Sequence, residues 1–351
     1  MRKLIDSAAR PARAAVSLSA TELVAIECLL YEGVVVMTPK YDLLDLVGWI
    51  LLNRDNMERL LAQHGAILFR GFAMTSVEAF RSFMSAGFGD LLEYNERSSP
   101  RNTVGDKIYT STEYPREHPI FLHNEQSYNM TFPLKIAFYC AQPAARGGRT
   151  PIANTREVLR RINPSARRRL ASGYLLVRNY GDGLSVPWRE AFQTDSKTVV
   201  EDYCHKGGIS FEWLSRDRLR TRQVRPVVAK HPRTSVLSWF NHLTFFHVST
   251  LHPSISSALL EQVGEANLPT NTYYSNGERF EESLLEELRQ AYTQQMRSFD
   301  WRAGDVLLLD NVLTAHGRES FQGARKVVVS MCDPRNWSEC EVQEQFGSEG
   351  R

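Results

Sequence analysis

The sequence predicts a mainly β protein with helical decoration, and three observations support this. Between residues 122 and 331, short apolar runs alternate with Gly and Pro turns, which is typical of an all-β sandwich or barrel. Before this region, Phe80, Phe83 and Met84 recur at helical spacing. Only isolated segments inside the β region show the helical period, so helices are expected to decorate a β core.

The N-terminal part contains most of the predicted helix. In chain order the sequence predicts an arm at 1–20, a mostly helical stretch at 21–62 with a short strand at 33–37, a buried strand at 66–70 and a helix at 76–87. The remainder, 21–351, is expected to form a single domain with inserts around 155–235 and 276–298.

Within the β region, unbroken apolar or β-branched runs predict buried strands at 135–140, 306–310 and 327–329. Helices are predicted at 155–162, 188–192 and 281–296. The last is the best supported, because Leu284, Leu285, Leu288 and Tyr292 fall on one helical face.

Composition narrows the possible functions. A net charge of +2 in 351 residues gives no reason to expect nucleic-acid binding. Five cysteines without a CxxC spacing argue against a disulfide framework and favour a reducing, cytoplasmic location. The apolar run at 43–52 is too short to span a membrane.

The most informative motif is His123-Asn124-Glu125, taken together with the distant His316. Two imidazoles and one carboxylate form the facial ligand set of non-haem Fe(II), which leaves coordination positions open for oxygen chemistry. On a strand, residues two apart share a face, so His123 and Glu125 are expected to reach one ion. The triplet alone is a weak signal, since short motifs arise often by chance.

The wider sequence resembles the taurine dioxygenase / clavaminate synthase group of Fe(II)- and 2-oxoglutarate-dependent oxygenases. It is most similar to the branch that includes syringomycin-type aspartyl β-hydroxylases of peptide natural-product pathways. The resemblance runs in order from about residue 65 to 335, and its segments are 65–72, 94–101, 109–115, 122–125, 147–151, 239–241, 271–274 and 299–331. It implies a double-stranded β-helix, or jelly-roll, core.

The resemblance also implies roles for single residues. His123, Glu125 and His316 match the iron ligands, and Thr150 and Arg325 match the residues that bind the distal carboxylate of the co-substrate 2-oxoglutarate. A guanidinium suits a carboxylate because it can donate two parallel hydrogen bonds. The neighbouring Lys326 would face the opposite way on a strand, so Arg325 is preferred.

Several positions near these residues remain less certain in role. Arg318, two residues after His316, is interpreted as a solvated surface arginine rather than a pocket residue. Val329 stands where some relatives carry a second arginine that grips an anionic substrate, which disfavours a sulfonate held in that way. The carboxylate Glu125 disfavours halogenation, because related halogenases carry a small residue there.

The implied reaction consumes O2 and converts 2-oxoglutarate to succinate and CO2 while an unactivated C–H bond is oxidised. Hydroxylation is expected, with desaturation or epoxidation as alternatives. The implied substrate is an amino acid, free or tethered to a peptidyl carrier protein. Candidate substrate contacts are Asn95, Arg97, Arg101 and Asn241.

Two other classes of function stay open at this point. A zinc hydrolase can use the same two histidines and one glutamate. A non-catalytic jelly-roll binding protein could keep the fold without the metal. Dependence on 2-oxoglutarate separates both from the oxygenase hypothesis.

Overall fold

The computed structural model describes residues 20–29, 33–93, 96, 103–110, 114–181 and 183–342. Within them, eleven α-helices lie at Ala20–Leu23 (α1), Leu46–Leu52 (α2), Arg54–His64 (α3), Val77–Phe88 (α4), Thr155–Arg161 (α5), Pro164–Arg169 (α6), Trp188–Phe192 (α7), Lys197–Lys206 (α8), Leu243–Phe246 (α9), Pro253–Val263 (α10) and Glu282–Gln295 (α11). Short 3-10 helices lie at Val248–Thr250, Glu265–Asn267 and Trp337–Glu339.

The same residues form nineteen β-strands. They lie at Val24–Leu29 (β1), Val34–Pro39 (β2), Ala66–Phe69 (β3), Thr103–Gly105 (β4), Ile108–Thr110 (β5), Ile120–His123 (β6), Thr131–Gln142 (β7), Arg146–Gly147 (β8), Ile152–Asn154 (β9), Tyr174–Tyr180 (β10), Ser210–Leu214 (β11), Arg218–Arg225 (β12), Val228–Lys230 (β13), Leu237–Trp239 (β14), Thr270–Tyr274 (β15), Val306–Asp310 (β16), Thr314–Arg318 (β17), Phe321–Gln322 (β18) and Lys326–Asn336 (β19).

The largest sheet has eight strands in the order β1-β2-β3-β16-β7-β19-β5-β4. Its centre is apolar on both faces, because successive side chains of a strand point to opposite sides. On β16, Val306 and Leu308 pack with helices α2, α3 and α4. Leu307 and Leu309 of the same strand pack on the other side with residues such as Ile152 of β9. The large sheet is therefore the middle layer of the protein.

A smaller sheet of three strands, in the order β6-β17-β9, faces the large one. The ring of Phe138 on β7 lies 5.0 Å from the ring of His316 on β17, which fixes the contact between the two sheets. Two facing sheets built from these strands confirm the mainly β class and the jelly-roll core that the resemblance implies. A further sheet, β11-β12-β10-β15, flanks this core.

Most predicted elements occur in the structure within a residue or two of their expected limits, but the N-terminal prediction was wrong in one respect. The stretch from 21 to 62 was expected to be mostly helical, with one strand. Val24–Leu29 instead forms β1, which pairs antiparallel with β2 at the edge of the large sheet. The apolar residues of this short, exposed edge strand do not alternate with polar ones, so the sequence gives only a weak strand signal there.

No helix among the described residues is both long enough and apolar enough to cross a membrane.

A buried lysine in the large sheet offers a test of the fold. The ammonium of Lys135 lies 2.5 Å from a carboxylate oxygen of Asp333 and 3.0 Å from one of Glu58. Replacing Lys135 by Met removes this ion pair and should lower the free energy of unfolding. The loss should be only about 2 kcal/mol, because Arg233 and Arg335 still compensate the charge of Asp333. Urea unfolding at pH 7 measures the loss.

The matched control for this change is Lys230→Met, which removes an exposed lysine and should leave the unfolding midpoint nearly unchanged. Burial raises the pKa of Asp333, but its hydrogen bond to Lys135 and the nearby arginines lower that pKa more. The stabilisation from this carboxylate is therefore complete above its ordinary pKa and is lost as the pH falls through the lowered one. Equal unfolding midpoints for both variants would contradict the argument.

Candidate metal centre

The two predicted histidine ligands lie directly opposite each other on paired strands. His123 ends β6, and His316 is its register partner on β17. Their ring centroids are 4.6 Å apart. A pair of residues that is nearly two hundred positions apart in sequence is thus placed by a single strand pairing of the small sheet.

Glu125 reaches the same point in a different way from the one expected. It does not continue the strand but lies in the turn that follows β6. The side chain of Asn311 holds this turn: its Oδ1 accepts from the backbone N–H of Glu125 at 2.7 Å, and its Nδ2 donates to the Glu125 carbonyl at 2.9 Å. The amide of Asn124 in turn donates to the Asn311 carbonyl at 2.6 Å.

The three side chains can hold one metal ion. One ligand atom from each of His123, Glu125 and His316 lies within 4.8 Å of the others, and all three residues are buried. Nδ1 of His123 lies 2.9 Å from the Phe121 carbonyl oxygen, so this nitrogen is the one that carries the proton. The lone pair of Nε2 then remains for a metal, which is the arrangement usual in histidine ligation.

A further histidine, His242, lies beside the triad and forms part of the surrounding wall. His242 is 5.6 Å from His123, ring to ring, and its Nδ1 lies 2.6 Å from the Ser127 hydroxyl. Burial, and then the neighbouring His123, hold the pKa of His242 well below its usual value. The ring centre of Phe245 lies 4.4 Å from that of His123, with the two rings tilted, and Phe245 completes an aromatic wall.

A cavity of about 940 Å³ opens beside this centre, and His123 and Glu125 form part of its wall. Aromatic and aliphatic side chains make up much of the lining, with Phe245 and Phe246 close to the triad. The volume lies at the upper end for small-molecule sites. A metal bound by the triad would therefore face a space large enough for two organic molecules.

The residues expected to bind 2-oxoglutarate, Thr150 and Arg325, lie close to each other along the segment that follows β8. The N–H of Gly317 donates to the Pro151 carbonyl at 2.9 Å, which places the preceding Thr150 next to the strand of His316. The Thr150 hydroxyl accepts from the indole N–H of Trp301 at 3.1 Å. Arg325 donates from Nε to the carbonyl of Gly148 at 2.9 Å, and Gly148 is two residues before Thr150 in the sequence.

The environment of Arg325 differs from that of its neighbour. Arg325 is partly buried, and burial together with the charge of Arg318 lowers its pKa to about 10. Gly148 makes room for it, since a Cβ there would come within 3.1 Å of the Arg325 Cδ. Lys326 is exposed. The two side chains therefore have different surroundings, although Arg325 precedes β19, which begins at Lys326 with a register irregularity.

The interpretation of Arg318 as a surface arginine was wrong. Only 6% of the residue is exposed, and it lines the cavity. Its guanidinium donates to the carbonyls of Tyr114, Pro115 and His118 at 2.8 to 3.0 Å. The strand alternation that turns His316 inward also turns residue 318 inward, and the three carbonyls compensate for its burial.

Of the four predicted substrate contacts, the structure describes one, Asn241. Asn95, Arg97 and Arg101 lie outside the described residues. Asn241 is buried, donates to the Val227 carbonyl at 2.8 Å and accepts from the Leu243 N–H at 3.0 Å. It is not among the described residues that line the cavity.

Sequence reasoning missed two features. Asn311 lies within the resembling segment 299–331, but no local pattern shows that its side chain hydrogen-bonds the Glu125 backbone. Arg178 lines the cavity and forms an ion pair with Glu96. A signal for Arg178 existed: on β10 the buried positions are Tyr174, Leu176, residue 178 and Tyr180, so period-two alternation turns the arginine inward.

Comparison with known proteins agrees with this geometry. The family model described as "Taurine catabolism dioxygenase TauD, TfdA family" matches residues 38–332. Dapdiamide synthesis protein DdaC of Enterobacter agglomerans is 38% identical over 279 residues, covering 79% of this chain and 85% of that protein. The clavaminate synthase-like protein At3g21360 of Arabidopsis thaliana is 28% identical over 295 residues, covering 81% and 86%.

Among solved structures, PvcB of Pseudomonas aeruginosa has the same fold, with a TM-score of 0.51 and 17% identity, over 91% of this chain and 93% of that one. The family match extends over most of the sequence and includes all three predicted ligands as well as Thr150 and Arg325. The chain therefore belongs to the TauD, TfdA family and is an Fe(II)- and 2-oxoglutarate-dependent dioxygenase.

Proposed function

We propose that His123, Glu125 and His316 hold the Fe(II) ion, and that the protein hydroxylates an unactivated C–H bond of an amino acid or an amino-acid derivative. The observation that carries this proposal is the convergence of the three ligand atoms within 4.8 Å of one another, at a point where His123 and Glu125 border a large cavity. When bound there, Fe(II) supplies the activation of dioxygen that couples C–H oxidation to the conversion of 2-oxoglutarate into succinate and CO2.

The protein residues then have distinct tasks. The Phe121 carbonyl keeps the His123 proton on Nδ1, and Asn311 keeps the Glu125 turn in place. Arg325 and Thr150 bind the distal carboxylate of 2-oxoglutarate, because a partly buried guanidinium and a hydroxyl are suited to an anionic end group. The aromatic wall around His123 excludes water from the reacting C–H bond.

The substrate class rests on similarity and on space. DdaC, a dapdiamide synthesis protein, shares 38% identity with this chain, which favours a role in natural-product biosynthesis. A cavity of about 940 Å³ admits a free amino acid or a larger derivative, including one tethered to a peptidyl carrier protein. Desaturation or epoxidation would use the same iron centre and the same residues.

The first experiment is anaerobic addition of Fe(II) and then 2-oxoglutarate to the metal-free protein. A visible charge-transfer band is expected, because the keto acid chelates the iron next to the triad. Absence of the band together with tight zinc binding would refute the oxygenase proposal and favour a hydrolase.

The same band tests the co-substrate residue. Arg325→Ala should weaken 2-oxoglutarate binding by about ten- to a hundredfold, because a charge-assisted hydrogen bond to a buried carboxylate is lost. Lys326→Ala removes the adjacent, exposed cation and should leave the binding curve unchanged. If both variants titrate like the wild type, Arg325 does not bind the co-substrate.

A further inference from the structure

The cavity beside the triad carries few positive charges. Among the described residues of its wall, the lysines and arginines amount to Arg178 and Arg318. Arg318 donates to three backbone carbonyls between residues 114 and 118, so its role is to hold the rim of the cavity. Arg178, by contrast, is paired with a side chain. Its partner Glu96 is not among the described residues that line the cavity, so the cation and not its counter-ion borders the space for a ligand.

Arg178 and Glu96 form an ion pair that is almost fully buried. Nη1 of Arg178 lies 2.9 Å from Oε1 of Glu96, and the two side chains are 4% and 1% exposed. The Tyr203 hydroxyl donates to the other carboxylate oxygen at 3.0 Å, and the Tyr180 hydroxyl donates to Oε1 at 3.4 Å. The carboxylate thus has several donors around it and stays fixed behind the arginine.

Aromatic rings hold the guanidinium of Arg178 in position. Its central carbon lies 4.8 Å from the ring centre of Tyr180, 5.3 Å from that of Tyr128 and 6.0 Å from that of Phe246. Cation–π contacts at these distances stabilise a cation without neutralising it. Burial disfavours the charged form, but Tyr180 and Glu96 more than compensate, and the pKa of Arg178 is raised.

The same rings connect Arg178 to the metal ligands. Tyr128 packs 4.8 Å from His242, and His242 packs 5.6 Å from His123. Arg178 and His123 both border the cavity, so one ligand can contact the arginine while another part of it faces the triad. The arginine is thus placed to orient a substrate relative to the metal centre.

Stability alone does not account for such a pair. Removing two charges from water costs several kcal/mol per ion, and apolar residues of similar volume are often equally stable or more so. On β10 the other inward residues are Tyr174, Leu176 and Tyr180, which pack without any charge. Because Arg178 borders the cavity and Glu96 does not, the guanidinium can share its charge between Glu96 and a second anion that a ligand brings.

We propose that Arg178 is a specificity-determining residue that binds a carboxylate of the substrate, with Glu96 as its fixed counter-ion. The proposal rests on the proposed function, because it concerns the molecule that is oxidised. The carboxylate supplies acceptors for the guanidinium, and its position would set which C–H bond points to the metal. The substrate class is therefore an amino acid or derivative with a free carboxylate at that end.

The experiment uses the anaerobic protein loaded with Fe(II) and 2-oxoglutarate. It is titrated with two pairs of the same shape that differ by one charge: L-aspartate against L-asparagine, which lacks the side-chain carboxylate, and L-aspartate against L-isoasparagine, which lacks the α-carboxylate. Binding is followed by isothermal titration calorimetry and by perturbation of the charge-transfer band. The wild type should bind the aspartate member of at least one pair about ten- to a hundredfold more tightly.

Arg178→Gln should abolish this preference, and the double change R178Q/E96Q should abolish it too while leaving no unpaired buried carboxylate. Glu96→Gln alone should widen the preference, because the charge of Arg178 is then uncompensated. Arg222→Gln, on the exposed side of the adjacent strand β12, removes an equal charge and should change nothing.

The outcomes separate the two proposals. If the charge-transfer band forms but the wild type shows no preference for aspartate, or binds neither pair, the role of Arg178 is refuted and the oxygenase proposal stands. The same holds if R178Q/E96Q keeps the preference. If the band never forms, the proposed function is refuted and the inference falls with it.

Discussion

His316→Ala is expected to reduce succinate formation by more than a hundredfold. Loss of a hydrogen-bond partner of a metal ligand already costs about ten- to a hundredfold in affinity or activity, and His316 is proposed as a ligand itself. Its imidazole comes from β17, whereas His123 ends β6 and Glu125 lies in the turn after it, so the variant loses the ligand from the opposite strand. Succinate formation and Fe(II) binding at equilibrium are the two measurements.

The control is His205→Ala, which removes an exposed histidine on α8 and should keep full turnover. A thermal unfolding curve for each variant separates loss of metal from loss of fold. Full turnover in His316→Ala would refute the triad assignment.

Asn311→Ala is expected to have the second-largest effect, about a ten- to hundredfold loss of Fe(II) affinity. The Asn311 side chain bonds both the N–H and the C=O of Glu125 and also donates to the Pro133 carbonyl at 2.8 Å. Without it, the turn that carries the carboxylate ligand keeps the Asn124 hydrogen bond to the carbonyl of residue 311 but loses both bonds to the Glu125 backbone. Metal titration of the apo-protein detects this loss independently of turnover.

Asn311→Asp is the informative second variant, because it keeps the shape and the acceptor for the Glu125 N–H but removes both donated hydrogen bonds. It should therefore also bind Fe(II) more weakly than the wild type. Asn276→Ala, in an exposed turn, serves as the control. Metal affinity equal to the wild type in both Asn311 variants would show that the turn holds Glu125 unaided.

The sequence predicted the parts of the fold that have regular patterns. The run Val306–Asp310 is apolar on both faces and forms the central strand β16, and helix α11 follows from its helical spacing. The edge strand β1 was missed, since its residues are mostly exposed and lack a strict alternation. Burial produces periodicity, so elements with little burial leave little trace in the sequence.

For the site, the sequence by itself predicted the chemistry: two imidazoles and a carboxylate for a metal and, through the family resemblance, an arginine and a threonine for an anionic co-substrate. Residue types and local order carry that information. Only the tertiary structure decided that Glu125 is held in a turn by Asn311, that Arg318 is buried, and that Arg178 faces the cavity with Glu96 behind it. Each of these depends on a contact between distant segments, and such contacts are formed by packing rather than by local sequence pattern.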